Sequence, residues 1–200
     1  MSDAPTKRLP ARDRLLRAAH EEFYATGVSS TGIDTIIAAA GVAKQSLYNS
    51  FDSKDALVAA YLTERHDEWL ALYRGRLVAA TSPAERVLAV FDAYADHANG
   101  NYRDGWRGCG LLNAAAELPV GHPGRAAVRA HKDEVQAILT AHLSELTGAA
   151  AGGDPVQLAA HLALLLEGSM AKSGLEGTDA WVQTARGLAA GLLAGVAVAE

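Results

Sequence analysis

The side chains with the clearest chemistry lie between positions 44 and 49, in a short polar stretch that follows an apolar segment and a glycine. Gln45 and Asn49 each carry a hydrogen-bond donor and an acceptor, which suits the edge of a base, adenine in particular. Lys44, Ser46 and Tyr48 carry donors suited to phosphate oxygens. The stretch is therefore predicted to contact DNA. The alternative for Asn49 is a solvated position, and for Tyr48 a packing aromatic.

Two short helices are predicted to position this stretch. In the first, apolar residues recur at helical spacing: Ile33, Ile36, Ile37 and Ala40. Gly41 then ends the helix, because glycine adopts a positive φ without strain. In the second, Val42, Leu47 and Phe51 can point inward and leave the polar side chains outside. This pattern predicts a helix-turn-helix whose second helix enters a major groove; a helical hairpin with a solvated face is the alternative.

Two helix starts add candidate phosphate contacts. Thr31 is predicted to cap the first helix of the pair, where unpaired N–H groups and a hydroxyl attract an anion. Lys54 begins the next helix, with Ser53 as its predicted cap and Asp55 in its first turn. Thr31 and Lys54 therefore join the predicted DNA contacts.

The run AGVAKQSLYNSFDSKDAL, residues 40–57, resembles the TetR family of bacterial repressors. The residues that carry the match are Ala40, Gly41, Val42, Ser46, Leu47, Tyr48, Phe51, Ser53, Lys54, Asp55 and Leu57. An upstream segment is similar to the family's first helix, so the resemblance spans about residues 12–62. Two residues depart from the pattern: Ala43 stands where Ser or Thr usually caps the reading helix, and Gly32 where a bulkier residue is common.

The resemblance implies an all-α fold with a three-helix head and a helical body, about nine helices in all. We divide the chain into a DNA-binding head with an N-terminal arm, residues 1–53, and a ligand-binding and dimerisation body, residues 54–200. The arm, a polar segment with Lys7 and Arg8, either touches DNA or is a frayed terminus. The last two helices, predicted over 156–173 and 180–198, are expected to form the homodimer interface. A helix buried within one chain is the alternative.

The resemblance further implies a repressor that binds a palindromic double-stranded DNA operator until a small-molecule effector, largely apolar, binds the body. The candidate effector contacts are Phe91, Tyr94, Trp106, Asn113, Glu117, His131, Leu165 and Met170. Core packing is the alternative for each of them. The segment from Arg107 to Pro123 also resembles one branch of the family, through RGC, Asn113, Glu117 and the dipeptide HP. A helical ligand-binding or partner-binding protein whose head no longer reads DNA is the second interpretation.

A third interpretation rests on Cys109, the single cysteine. With His97, His122 or His131 it could form a thiol and base pair, and beside Arg107 it could sense oxidants. A lone cysteine among glycine, leucine and alanine is more typical of a small buried residue. The histidines lack the close spacing of a zinc site, and no phosphate-binding glycine motif is present. We therefore predict no catalytic residue, no metal and no cofactor.

Charge is distributed unevenly along the chain. The formal net charge is −5, made up of +1 over residues 1–54 and −6 over the remainder. An acidic body repels DNA and helps to orient the reading end toward the duplex. The single cysteine and the absence of a signal peptide or a long uninterrupted apolar run predict a cytoplasmic protein with no membrane association.

Overall fold

The computed structural model describes residues 9–147 and 154–198. Within these residues the chain forms nine α-helices and no strand, which confirms the predicted all-α class. The helices are α1 (Ala11–Thr26), α2 (Ile33–Ala40), α3 (Lys44–Tyr48), α4 (Lys54–Leu77), α5 (Pro83–Ala98), α6 (Gly110–Glu117), α7 (Pro123–Thr147), α8 (Pro155–Glu176) and α9 (Ala180–Val198). Residues 1–8 of the predicted arm lie outside the described residues.

Local chemistry explains several helix ends. Gly41 ends α2 with φ +59°, a left-handed conformation, and its N–H donates to the carbonyl of Ala38. The Ser53 hydroxyl accepts a hydrogen bond from the Ala56 N–H at 3.1 Å, so Ser53 caps α4 as predicted. From this cap α4 continues without interruption to Leu77.

The head core is formed by α1, α2 and α3 and completed by residues of α4, α6 and α7. The buried side chains of the first three helices are Leu15, Ala18, Ala19, Phe23, Ile36, Ala40 and Leu47. Leu57, Val58, Tyr61 and Leu62, from the first turns of α4, join the same cluster. Burial of the apolar face of α3 against this cluster holds a helix of five residues that would not be stable alone.

A second core fills the body. Trp69 and Tyr73 of α4 pack there with buried residues of α5, α7, α8 and α9, and Tyr24 of α1 belongs to this cluster although the rest of α1 lies in the head. Because α4 has 24 residues and rises about 1.5 Å per residue, it runs about 36 Å through both cores. Head and body are therefore connected by continuous packing.

Helices α8 and α9 also present apolar side chains to solvent. Leu164 and Leu175 of α8 are 72% and 89% exposed, and Leu188 and Leu192 of α9 are 56% and 49% exposed. Between the helices runs a groove with an empty volume of about 590 Å³. No helix in the described ranges is both long and apolar enough to cross a bilayer.

Candidate nucleic-acid interface and body cavity

The outer face of α3 carries the polar side chains singled out in the sequence. Lys44, Gln45, Tyr48 and Asn49 are exposed, whereas Leu47 between them is fully buried. Gln45 Nε2 donates to Asn49 Oδ1 at 3.1 Å, so the two amides hold each other on one face of the helix. Both residues are exposed, and this bond leaves the Asn49 amide N–H groups and the Gln45 carbonyl available, a donor and an acceptor of the kind that pair with a base edge.

The phosphate-type side chains lie around these amides. Lys44 Nζ is 3.0 Å from Asp34 Oδ1, and this hydrogen bond raises the lysine pKa, so Lys44 stays charged. Tyr48 is 52% exposed, so it is not a core aromatic. Ser46 and Lys54 are half-buried. As the sequence indicates, Ala43 leaves α3 without a side-chain cap.

Thr31 lies elsewhere than predicted. Gly32 occupies the N-cap position of α2, and the Thr31 side chain is buried, only 2% exposed. Its hydroxyl donates to the Gly27 carbonyl at 2.7 Å and lies 2.7 Å from Thr26 Oγ1. The predicted cap was wrong because the turn after α1 folds back and takes the hydroxyl inward. A phosphate cannot reach Thr31 in this arrangement.

Arg14 is a functional side chain that the sequence analysis did not identify. It extends from α1 and donates to the carbonyls of Ala40 and Gly41, in the turn of the helix-turn-helix. These carbonyls end α2 and have no helical partner of their own, so the guanidinium fixes the angle between α2 and α3.

The body contains a small cavity with about 250 Å³ of empty volume. Its lining residues are Arg65, Trp69, Tyr94, His97, Trp106, Cys109, Gly110, Leu111, His131 and Met170. This volume includes open solvent, and the enclosed space itself is about the size of one water molecule. The walls are mostly aromatic and aliphatic, with a few polar atoms between them.

A hydrogen-bond network covers one side of this cavity. His131 Nε2 is 3.2 Å from the Tyr94 hydroxyl, and His131 Nδ1 is 3.0 Å from Nδ1 of His66. Lys132 Nζ lies 2.7 Å from Glu167 Oε1 and donates to the Tyr94 hydroxyl at 3.3 Å. Burial, followed by the positive charge of Lys132 and the neighbouring His66, lowers the pKa of His131 to about 3. His131 is therefore neutral at physiological pH.

Comparison with protein families identifies the chain. The family model described as "Bacterial regulatory proteins, tetR family" matches residues 15–61, which include α2, α3 and the turn between them. A model described as "Tetracyclin repressor-like, C-terminal domain" matches residues 83–188 of the body. The chain belongs to the TetR family. It is a DNA-binding transcriptional regulator with a helix-turn-helix head, as the resemblance of residues 40–57 implied.

Individual TetR-family relatives support this assignment. A TetR-family transcriptional regulator from Streptomyces coelicolor has a TM-score of 0.84 at 33% identity, over 94% of this chain and 96% of that chain. The HTH-type transcriptional repressor KstR2 of Mycolicibacterium smegmatis is 34% identical over 91 residues, 46% of this chain and 44% of its own. The HTH-type transcriptional activator FasR of the same species is 36% identical over 102 residues, 48% and 47%. The chain spans about half the length of these curated relatives.

The structure brings together only some of the predicted effector contacts of this TetR-family body. Tyr94, Trp106, His131 and Met170 line the cavity. The other four do not. Phe91 is buried in the body core and Leu165 lines the groove between α8 and α9. Glu117 lies at the end of α6 and accepts from the Ser29 N–H of the head. The Asn113 amide donates to the Arg107 carbonyl just before α6, and Asn113 lines a separate hollow of the body that Met170 also borders.

The segment from Arg107 to Glu117 connects the cavity wall with α1. The Tyr24 hydroxyl accepts from the Arg107 N–H at 2.7 Å and donates to the Gly108 carbonyl at 3.0 Å, and the Arg107 guanidinium donates to the carbonyls at the end of α1. At the other end of the segment, Glu117 Oε2 accepts from the Ser29 N–H at 2.7 Å. Between these two attachments, Cys109 lines the cavity. The RGC, Asn113 and Glu117 pattern thus attaches α6 to the head.

The thiol chemistry considered for Cys109 finds little support. The Cys109 side chain is half-buried, and the cation beside it is Lys132, whose Nζ is 3.7 Å from Sγ, rather than Arg107. His131 bonds to Tyr94 and His66, and His122 Nδ1 accepts from the Gly124 N–H. No Cys–His pair is formed in the described residues. Nor do these residues contain a group of three or more His, Cys, Asp or Glu side chains able to hold a metal ion.

Proposed function

We propose that this TetR-family regulator is a homodimeric repressor that binds a palindromic operator through two helix-turn-helix heads and is released by a small molecule bound in the body. The observation that carries the proposal is the segment 107–117, which both lines the cavity and is bonded to α1 of the head. A ligand that moves this segment also moves the hydrogen-bond partners that hold α1 in place. A ligand that binds better in one head orientation shifts the population toward it.

The packing of α3 supports DNA contact by its outer face. The polar side chains there are exposed around a fully buried Leu47, so the helix can enter a groove without loss of its core packing. Gln45 and Asn49 are proposed to read base edges, with Lys44, Ser46 and Tyr48 on phosphate and Lys54 at the start of α4. Thr31 leaves this set because it is buried.

Dimerisation is proposed through α8 and α9. Their exposed leucines include Leu164 and Leu188, and an apolar surface of this kind is usually covered in a stable assembly. A two-fold dimer spaces its two reading helices about 34–36 Å apart and so selects a palindrome. Each head carries only a small excess of positive charge, so one head alone is expected to bind DNA weakly. Two linked heads bind the same operator together, which raises the overall affinity.

The first experiment is binding to the DNA just upstream of the protein's own coding region, footprinted at several salt concentrations. We expect a protected palindrome and an affinity that falls steeply with salt, because phosphate contacts release counterions. No protection there, and no site selected from random DNA, favours the second function, a helical ligand-binding or partner-binding protein. The uncapped start of α3 at Ala43 is the observation in favour of that alternative. Repression and activation are distinguished by a reporter fused to the protected site.

The dimer is tested separately. The double variant L164D/L188D places charges on the exposed apolar face, and we expect a monomer in light scattering and a large loss of operator affinity. Val120→Asp is the matched control, since Val120 is 94% exposed in the turn between α6 and α7. A variant that stays dimeric with both aspartates present contradicts this interface.

A further inference from the structure

The first turn of α1 lies beside both ends of the reading helix α3. At one end, the Arg14 guanidinium donates to two backbone carbonyls in the turn that precedes α3. At the other end, the Arg12 guanidinium carbon is 5.1 Å from the centre of the Phe51 ring. The Phe51 N–H donates to the Leu47 carbonyl at 2.8 Å, so Phe51 continues the last turn of α3. The start of α1 therefore belongs to the same end of the molecule as α3.

Phe51 gives the Arg12 side chain a defined position. A guanidinium within about 6 Å of an aromatic ring is attracted by the negative charge on the ring face. The Phe51 ring is buried in the head core, only 5% exposed, whereas Arg12 is exposed. Contact with a ring uses none of the five N–H donors of a guanidinium. Arg12 therefore presents a positioned positive charge with free hydrogen-bond donors to solvent.

Two other exposed cations of the head are already paired with carboxylates. Lys44 Nζ is 3.0 Å from Asp34 Oδ1, and Arg17 Nε is 3.5 Å from Glu21 Oε1. Within the part of the chain that the structure describes, the Arg12 side chain forms neither an ion pair nor a hydrogen bond, and its contact is the Phe51 ring. A phosphate that approaches Arg12 thus meets a cation without a bound carboxylate beside it.

The carboxylate of Glu64, on α4, lies near enough to respond to Arg12. Burial raises the pKa of Glu64, and the positive charge of Arg12 opposes this change. The Glu64 carboxylate nevertheless lies next to another residue of α1, with Oε2 3.6 Å from His20 Nδ1. Because His20 comes two turns after Arg12, Glu64 faces α1 away from its first turn. The Arg12 guanidinium stays available for an external anion.

We propose that Arg12 binds a DNA phosphate at the edge of the major groove that α3 enters, and that Phe51 positions it for this contact. The phosphates of the two strands border the groove, so a group fixed at the end of a helix inside the groove lies close to one of them. Such a contact adds affinity and orientation but carries no sequence information. The inference rests on the proposed function, because α3 must lie in the groove, and it adds α1 to the DNA interface.

The salt dependence of operator binding tests the contact. Arg12→Gln is expected to lower operator affinity by about three- to tenfold and to reduce the slope of log affinity against log salt by about one for each head. The loss should be the same for every single-base variant of the operator, because a phosphate contact does not read bases. Arg17→Gln removes the same charge from the same helix and should keep the parent's slope. An unchanged slope in Arg12→Gln, or equal changes in both variants, overturns the inference.

A double-mutant cycle tests the positioning role of Phe51. Phe51→Leu removes the ring but keeps an apolar side chain, and circular dichroism verifies that the variant is folded. We expect it to lower operator affinity in the parent and to have a clearly smaller effect in the Arg12→Gln background, since the cycle isolates the coupling of the two residues. A loss of the same size in both backgrounds means that Phe51 acts through the core alone and does not position Arg12.

Ethylation interference locates the phosphate. In each half-site, one phosphate whose ethylation blocks binding of the parent is expected to have no effect on Arg12→Gln. If Asn49→Ala changes base preference while Arg12→Gln shows the same interfering phosphates as the parent, the proposed function holds and this inference fails. If the parent selects no DNA site at all, the proposed function fails, and the assignment of Arg12 fails with it.

Discussion

The two polar regions of this chain are built in opposite ways. On α3 the polar side chains are exposed and bond to their neighbours, as in the pairs Gln45–Asn49 and Lys44–Asp34. Around the body cavity the polar atoms are buried, and four of them have no partner in the described part of the chain. The first arrangement contributes little to folding, because water and salt screen it. The second depends on burial, which makes each hydrogen bond there stronger and the loss of a partner more costly.

The largest loss of folding stability is expected when a buried charged side chain, Arg65, is replaced. Arg65→Met removes hydrogen bonds to His20, Glu68 and the Tyr102 hydroxyl, and we expect a loss of about 2–4 kcal/mol of unfolding free energy in urea at fixed protein concentration. Arg17→Met, which removes an exposed pair with Glu21, is the control and should leave the unfolding midpoint unchanged. If both variants lowered the unfolding free energy equally, buried and exposed polar contacts would not differ in their contribution to stability.

Next in size is a dependence on pH that comes from the body. Burial lowers the pKa of His131 to about 3, whereas the unfolded chain binds that proton near pH 6.5. Between these values the unfolded state holds more protons, so stability falls as the pH is lowered below about 6.5, by about 1.4 kcal/mol per pH unit for this group. Urea unfolding from pH 7.5 to 5 should show a shallower pH slope for His131→Gln. The same slope in parent and variant would mean that His131 is protonated in the fold.

Substitutions on the exposed face of α3 should change DNA affinity rather than folding stability. Asn49→Ala is expected to relax preference at one base position by about 1–3 kcal/mol, whereas Tyr48→Ala should weaken all sites similarly. Both side chains are exposed, so unfolding should change little. Competition binding against a set of single-base operator variants measures the difference. If both variants changed only thermal stability and left operator affinity unchanged, α3 would not be part of the DNA interface.

The smallest effect is expected at Lys44. Lys44→Gln breaks the exposed pair with Asp34, and the urea midpoint should not move, because such pairs are solvated on both sides. The slope of operator affinity against salt should decrease by about one, the loss of a single phosphate contact. A clear shift of the midpoint with an unchanged salt slope would make Lys44 a structural residue.

Helix ends and the reading surface could be predicted because local chemistry sets them. Gly41 ends α2 through its positive φ, Ser53 caps α4, and Pro83 opens α5. The spacing of the apolar residues Val42, Leu47 and Phe51 was enough to place the exposed face of α3. The proposed division of the chain into residues 1–53 and 54–200 stays a prediction. The packing crosses it, because side chains of α4 belong to the head core.

The cavity could be predicted only in part, because its residues come from distant segments. The sequence analysis named Tyr94, Trp106, His131 and Met170, but it named neither Arg65 nor Trp69 of α4, which line the same cavity. Hydrogen bonds between separate segments also made two predictions wrong. The Thr31 hydroxyl bonds to Gly27 instead of capping α2, and the Glu117 carboxylate bonds to Ser29 of the head instead of lining the cavity. Sequence spacing contains no information on such contacts before the bundle is assembled.

The shared packing of α4 has a consequence for protein engineering. A chimeric regulator that joins this head to a foreign body after residue 53 would separate Leu15 and Phe23 from Leu57 and Tyr61, which belong to the same core. The transplant should include the first three turns of α4, with the graft point beyond Leu62. It also needs replacements for Tyr24, which packs in the body core, and for Leu111, Ala114 and Val128, the residues of α6 and α7 that belong to the head cluster. A modular biosensor made from this head should be cut inside the long helix, not at the turn before it.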